Sequence, residues 1–114
     1  MVSPLILYGK SGRKYKFHST YTLSDISKMK FDENWGILYI YFYISSSNNV
    51  RLIYCGKDET PPKRFKEHER NDKDIIEASN YAGIIYYDNI EKLKADEVDI
   101  LEGNSFEKNI QHNC

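Results

Sequence analysis

Two stretches decide the fold: Trp35-Gly36-Ile37-Leu38-Tyr39-Ile40-Tyr41-Phe42-Tyr43, and beyond a polar interval, Val50-Arg51-Leu52-Ile53-Tyr54-Cys55-Gly56-Lys57. Aromatic and β-branched side chains crowd both, and such residues suit a pleated, half-buried surface. The interval Ser45-Ser46-Ser47-Asn48-Asn49 holds only turn-forming residues. The pattern therefore predicts an antiparallel pair, one strand over Gly36 to Ile44 and its partner over Val50 to Cys55.

The rest of the chain arranges itself around this pair. Upstream, Leu5 to Tyr8 and Lys14 to His18 flank Gly9-Lys10-Ser11-Gly12, which reads as a further hairpin. A short helix is expected from Ser24 as N-cap through Asp25-Ile26-Ser27. Downstream, Thr60 caps a helix with Pro61 in its first position, where the missing N–H costs nothing. That helix carries Lys63, Arg64 and His68 and ends near Asn71. A short helical piece over Asp74 to Ala78 precedes a strand over Tyr81 to Tyr87. Asp88-Asn89-Ile90-Glu91 has the acid-then-Glu spacing of a helix start, and the helix should run to about Glu102 and stop at Gly103. The expected fold is α+β: a small three-stranded antiparallel sheet flanked by helices, with an N-terminal β-hairpin extension. Residues 1–114 form one domain, with 1–34 as the hairpin and short-helix extension and 35–111 as the core.

Composition sets outer bounds. A chain of 114 residues holds a single core, and 40 % hydrophobic with 29 % charged residues is ordinary for a soluble globular protein. No apolar run approaches the ~20 residues needed to span a bilayer. The first residues lack the pattern of a secretory signal, so the expected location is cytoplasmic, without membrane contact. Cys55 and Cys114 make no disulfide framework, and no Cys/His group has zinc spacing. Net charge is −1, which argues against extensive phosphate neutralisation, but its distribution is uneven. Residues 1–24 contain Lys10, Arg13, Lys14 and Lys16 and no acid. Lys63, Arg64, Lys66 and Arg70 form a second basic group. Local field decides where a polyanion docks.

Chemistry gathers around Gly56. A glycine after a strand tyrosine lets the backbone approach a ligand closely. Arg64 and His68, four residues apart on the next helix, share one helix face. On the last helix Ile90, Leu93 and Leu101 form an apolar stripe with Glu97 in its middle, whereas Asp96 and Asp99 fall to its outer sides as solvated charges. A buried carboxylate must be paired, metal-bound or neutralised, so Glu97 reads as a metal ligand or as half of a structural ion pair.

Taken in order, Tyr54-Cys55-Gly56, then Arg64, His68, Glu97 and Asn109 resemble the GIY-YIG nuclease family. The resemblance covers roughly residues 35 to 111 and implies a metal-dependent endonuclease hydrolysing phosphodiester bonds of DNA, most naturally double-stranded. It implies that Glu97 holds Mg²⁺, or another divalent cation such as Mn²⁺, and that Arg64 grips the scissile phosphate. Tyr54 and a first-motif tyrosine would position or deprotonate water, Gly56 belongs to the same motif, and His68 would bond a tyrosine or the phosphate. Lys57, Lys63 and Asn109, with Lys14 and Lys16 of the hairpin, would contact nucleic acid. The first motif departs from the family: Gly36-Ile37 is followed by Leu38, so the tyrosine is Tyr39 or Tyr41. Cys55 stands where the family prefers Ile or Val, and the acidic Asp58-Glu59 follows Lys57. A second expectation stays open beside the first: the same fold with an impaired site, binding nucleic acid or a protein partner. Oligomeric state is not readable from the sequence.

Overall fold

The computed structural model describes residues 5–17, 19–26, 35–59 and 73–109. The helix expected after Thr60, with Lys63, Arg64 and His68, lies outside the described residues, as do His18 and the tail with His112 and Cys114.

β1 (Leu5–Tyr8) and β2 (Lys14–Phe17) form the expected hairpin as a two-stranded sheet. Gly12 at its tip has φ +87°, the left-handed region that a side chain rarely adopts. The chain then forms β3 (Ser19–Thr22), the short helix α1 (Leu23–Ile26), β4 (Gly36–Ile44), β5 (Val50–Asp58), α2 (Lys73–Ala78), β6 (Tyr81–Tyr87) and α3 (Ile90–Gly103). The main sheet has four antiparallel strands in the order β3-β6-β4-β5, not three. The additional strand is β3, whose four residues pair with Tyr81 to Ile84 of β6. Two cap assignments also change. The Asp25 amide donates to Thr22 Oγ1, so Thr22 rather than Ser24 starts α1. Asn89 rather than Asp88 caps α3, its side chain accepting from the Lys92 amide.

Alternation along β4 gives the sheet two buried faces. Leu38, Ile40 and Phe42 pack with Cys55, with Leu93 and Ile100 of α3, and with Leu5, Leu7, Tyr15 and Phe17 of the hairpin. The hairpin thus belongs to the core that α3 closes. Ile37, Tyr39 and Tyr41 pack on the other face with Ile53, Tyr54, Ala82, Ile84 and Ile75 of α2.

β5 carries one irregularity. Tyr41 pairs with Tyr54, whereas Phe42 pairs with Leu52, so Ile53 is an extra residue between them. The bulge lets Ile53 and Tyr54, neighbours in sequence, both join the face of Tyr39 and Tyr41. Beyond it β5 continues past Cys55 to Asp58, three residues longer than the sequence predicts.

Candidate functional site

Tyr39 lies directly opposite Gly56, and Tyr41 directly opposite Tyr54. The Tyr39 ring lies over the glycine: a Cβ at Gly56 would sit 2.6 Å from the Tyr39 hydroxyl and 2.7 Å from Cζ. The absence of a side chain at position 56 is thus what admits this ring. Tyr39 meets Tyr54 at 6.4 Å between ring centroids, and Tyr41 edge-on at 5.8 Å. Asp58, two residues beyond Gly56, turns to the same face by strand alternation and is buried. Tyr43, the third tyrosine of β4, takes the Arg51 guanidinium 6.0 Å from its ring.

The helix that carries Glu97 covers the other face of the sheet. α3 packs on the face of Cys55, and Glu97 is near enough to act on that thiol. Burial pushes the Cys55 pKa up, and the Glu97 charge raises it further, so the thiol stays protonated. Lys57, opposite Leu38, turns toward the α3 face as well and pairs with Glu59 at 3.3 Å. The tyrosines therefore lie on one face of β5, and α3, the helix that carries Glu97, packs on the other.

Asn109 has a different occupation. It is buried, its Oδ1 accepts from the Cys55 amide at 2.8 Å, and its Nδ2 donates to the Cys55 carbonyl at 3.0 Å. Both ends of the amide are spent on backbone, as a neighbouring strand would spend its own groups. The Glu107 and Lys108 amides donate to Leu52 and Ile53 carbonyls, continuing that seal along the edge of β5.

The carboxylate at the heart of α3 is Asp96, not Glu97. Asp96 is buried and Glu97 half-buried, because the buried side of α3 is formed by Leu93, Asp96 and Ile100. The hairpin makes the difference. Asp96 accepts from the Tyr87 hydroxyl at 2.7 Å, from Arg13 Nη1 at 3.0 Å and, more distantly, from the Tyr15 hydroxyl at 3.4 Å. Asp99 is not a merely solvated charge either. It accepts from the Tyr15 hydroxyl at 2.7 Å, the Ser11 hydroxyl at 2.8 Å and the Ser11 amide at 2.9 Å. These bonds, led by that from Tyr15, hold the Asp99 pKa below its ordinary value. Burial and the adjoining carboxylates push both Tyr15 and Tyr87 well above the usual tyrosine range. Lys10 N donates to the Asp99 carbonyl, and Asn104 Nδ2 to that of Tyr8. Sequence reasoning missed this clasp, since its two halves lie more than eighty residues apart.

Beside the clasp is an open pocket of about 240 Å³, walled by β2, the end of β6 and the start of α3. Among the described residues no group of three or more His, Cys, Asp or Glu is placed to hold a metal, and no helix is long and apolar enough to cross a membrane. No family model, no curated protein and no solved structure matches this chain.

Proposed function

We propose that this chain is a metal-dependent endonuclease of GIY-YIG type that hydrolyses DNA phosphodiester bonds. The observation that carries the reading is the seat of the Tyr39 ring on Gly56, with Tyr54 alongside, on the two central-to-edge strands that bear the family's motifs. β4 and β5, which carry the two tyrosine motifs of this reading, are neighbours in the sheet, and the helix bearing Glu97 follows β6. The geometry favours Tyr39 as the first-motif tyrosine, because Tyr39 rather than Tyr41 reaches across Gly56.

Phosphodiester hydrolysis needs an activated water and neutralisation of charge gathering on the phosphoryl oxygens. Glu97 is the residue that would hold Mg²⁺ or Mn²⁺, whose preference for few carboxylates and several waters suits a single partly exposed ligand. A bound divalent ion supplies Lewis-acid polarisation and a lowered water pKa. Arg64 offers a planar, permanently charged donor set matched to phosphate, with His68 four residues on in the sequence. A free tyrosine has a pKa of ~10, so Tyr39 or Tyr54 becomes a base only where cations depress that value.

One observation favours a second reading, an impaired member that binds nucleic acid or a protein. α3, which carries Glu97, packs on the face of β5 opposite the tyrosines. Nicking of supercoiled plasmid with Mg²⁺ or Mn²⁺, against an EDTA control, separates the two. The nuclease reading expects nicking that Arg64→Ala and Glu97→Gln abolish without unfolding. An inert wild type that still binds DNA selects the second reading.

A further inference from the structure

The outward face of the N-terminal hairpin has a composition that the core does not explain. Alternation sends Tyr15 and Phe17 inward and leaves Lys14 and Lys16 outward, directly opposite Tyr8 and Ile6 of β1. Tyr8 is 56 % and Ile6 42 % exposed. The outer face is therefore a ribbon of two lysines interleaved with one aromatic and one aliphatic side chain. Lys10 spends its charge on Glu102, but among the described residues neither Lys14 nor Lys16 enters an ion pair.

The ribbon continues into the adjoining pocket, where Arg13, Lys14, Lys16 and Lys92 face the carboxylates of Asp88 and Asp96, four cations against two anions. Asp96 is already engaged by Arg13 and two tyrosine hydroxyls. With Arg13 matched to Asp96, Lys14, Lys16 and Lys92 stand against Asp88 alone, an excess of two positive charges on a chain whose net charge is −1. Their backbone is fixed in place: Asp96 and Asp99 of α3 lock Ser11, Arg13 and Tyr15 of the hairpin. Cations on a clamped frame lose less freedom on binding than cations on a loose loop.

We propose that the outer face of the hairpin, with Lys14, Lys16 and Lys92, is a docking surface for the sugar-phosphate backbone of duplex DNA. A two-stranded ribbon is narrow enough to enter the major groove. Lys14 and Lys16, two strand positions apart, stand ~6.8 Å from each other, within reach of one backbone. Tyr8 and Ile6 present apolar surface between them for sugars or thymine methyls. The inference rests on the nucleic-acid part of the functional reading and needs none of its catalytic part.

The test is fluorescence anisotropy of a labelled DNA duplex with the full chain, in EDTA, over a series of salt concentrations. Lys14→Gln/Lys16→Gln should weaken binding on the order of tenfold at low salt and reduce the slope of log K against log salt by about 1.8, the value for two lost phosphate contacts. Unchanged far-ultraviolet circular dichroism excludes unfolding, and Lys73→Gln, on α2, serves as a control that removes a lysine charge away from the hairpin and should leave binding unaltered. Unchanged affinity in the double variant, an equal loss in the control, or binding to anionic lipid vesicles with none to DNA would each overturn the proposal. Plasmid nicking by the same proteins keeps the two readings apart. Nicking by the wild type with binding indifferent to Lys14 and Lys16 rejects the hairpin surface alone. Binding that depends on them, with no nicking by the wild type, rejects the nuclease alone.

Discussion

Replacing Asp96 by alanine removes the acceptor that ties the hairpin to α3 and β6, and the size of the effect follows from what each partner becomes. The Arg13 side chain is 51 % exposed, so water takes over from the carboxylate and the lost pair contributes ~0–1 kcal/mol. The Tyr87 hydroxyl is buried against α3 and loses a charged acceptor at 2.7 Å. Losing such a bond costs about 1.5–3 kcal/mol. The expected destabilisation is therefore ~2–4 kcal/mol, and at about 4 °C per kcal/mol for a domain of this size the melting temperature should fall by roughly 8–16 °C. Tyr87→Phe supplies the internal control. Because the orphaned hydroxyl is the main penalty, Asp96→Ala/Tyr87→Phe should melt above Asp96→Ala, with a coupling of at least ~1 kcal/mol in the double-mutant cycle. Differential scanning calorimetry of the four proteins gives the cycle directly. A fall of less than ~4 °C for Asp96→Ala, or strict additivity with Tyr87→Phe, refutes the view that this carboxylate is the clasp.

Gly56→Ala places a methyl 2.6 Å from the Tyr39 hydroxyl and 2.7 Å from Cζ, so it should destabilise by ~1–3 kcal/mol. Tyr39→Phe should not rescue it, since Cζ remains, whereas Tyr39→Leu should recover part of the loss; urea denaturation ranks the three. In the nicking assay Tyr39→Phe should cut the rate sharply with DNA binding intact, and Tyr41→Phe should be nearly silent; the reverse order would shift the motif by two residues. The Asp99 pKa is depressed, so its contribution is full above the unfolded value of ~3.9 and disappears as pH falls through the lower folded value. Hydrogen exchange at Ser11 should therefore accelerate relative to β4 amides below about pH 4, and Asp99→Asn should remove that acid dependence. Tyr15 and Tyr87 titrate above the ordinary range, so their stabilisation is full below ~pH 10 and is lost as pH rises further. Absorbance at the tyrosinate band should show both silent until alkaline unfolding, with Tyr15→Phe leaving the early amplitude unchanged.

β4 and β6 begin and end where the sequence reading puts them, because each is a run of aromatic and β-branched residues bounded by polar or turn residues. β3 escaped because Ser19-Thr20-Tyr21-Thr22 is short and mostly polar, and only its register against β6 makes it a strand. β5 runs on through Gly56, Lys57 and Asp58, poor strand formers held by their partners Tyr39, Leu38 and Ile37. On the last helix, periodicity located a buried face but centred it on Glu97, one position from Asp96. Asp96 lies three residues from Leu93 and four from Ile100, a spacing as good as that of Glu97 between Leu93 and Leu101. Only the tertiary placement of Arg13, Tyr15 and Tyr87 decides between them. The pairing of Tyr39 with Gly56 was within reach of strand alternation; the commitment of Asn109 to Cys55 depends on a return of the chain that no local pattern announces.

The clasp has a further consequence, for the order of events during synthesis. The hairpin closes over a turn of a few residues, and such elements form in ~1–10 μs. Its buried side chains Leu5, Leu7, Tyr15 and Phe17 nevertheless find their full cover only once β4, β6 and α3 have followed, and α3 begins at Ile90. At translation rates of about 5–20 residues per second, the hairpin waits several seconds with its apolar face uncovered. During that interval the four inward side chains are open to chaperones and to aggregation, until α3 emerges and Asp96 and Asp99 shut the hairpin against it.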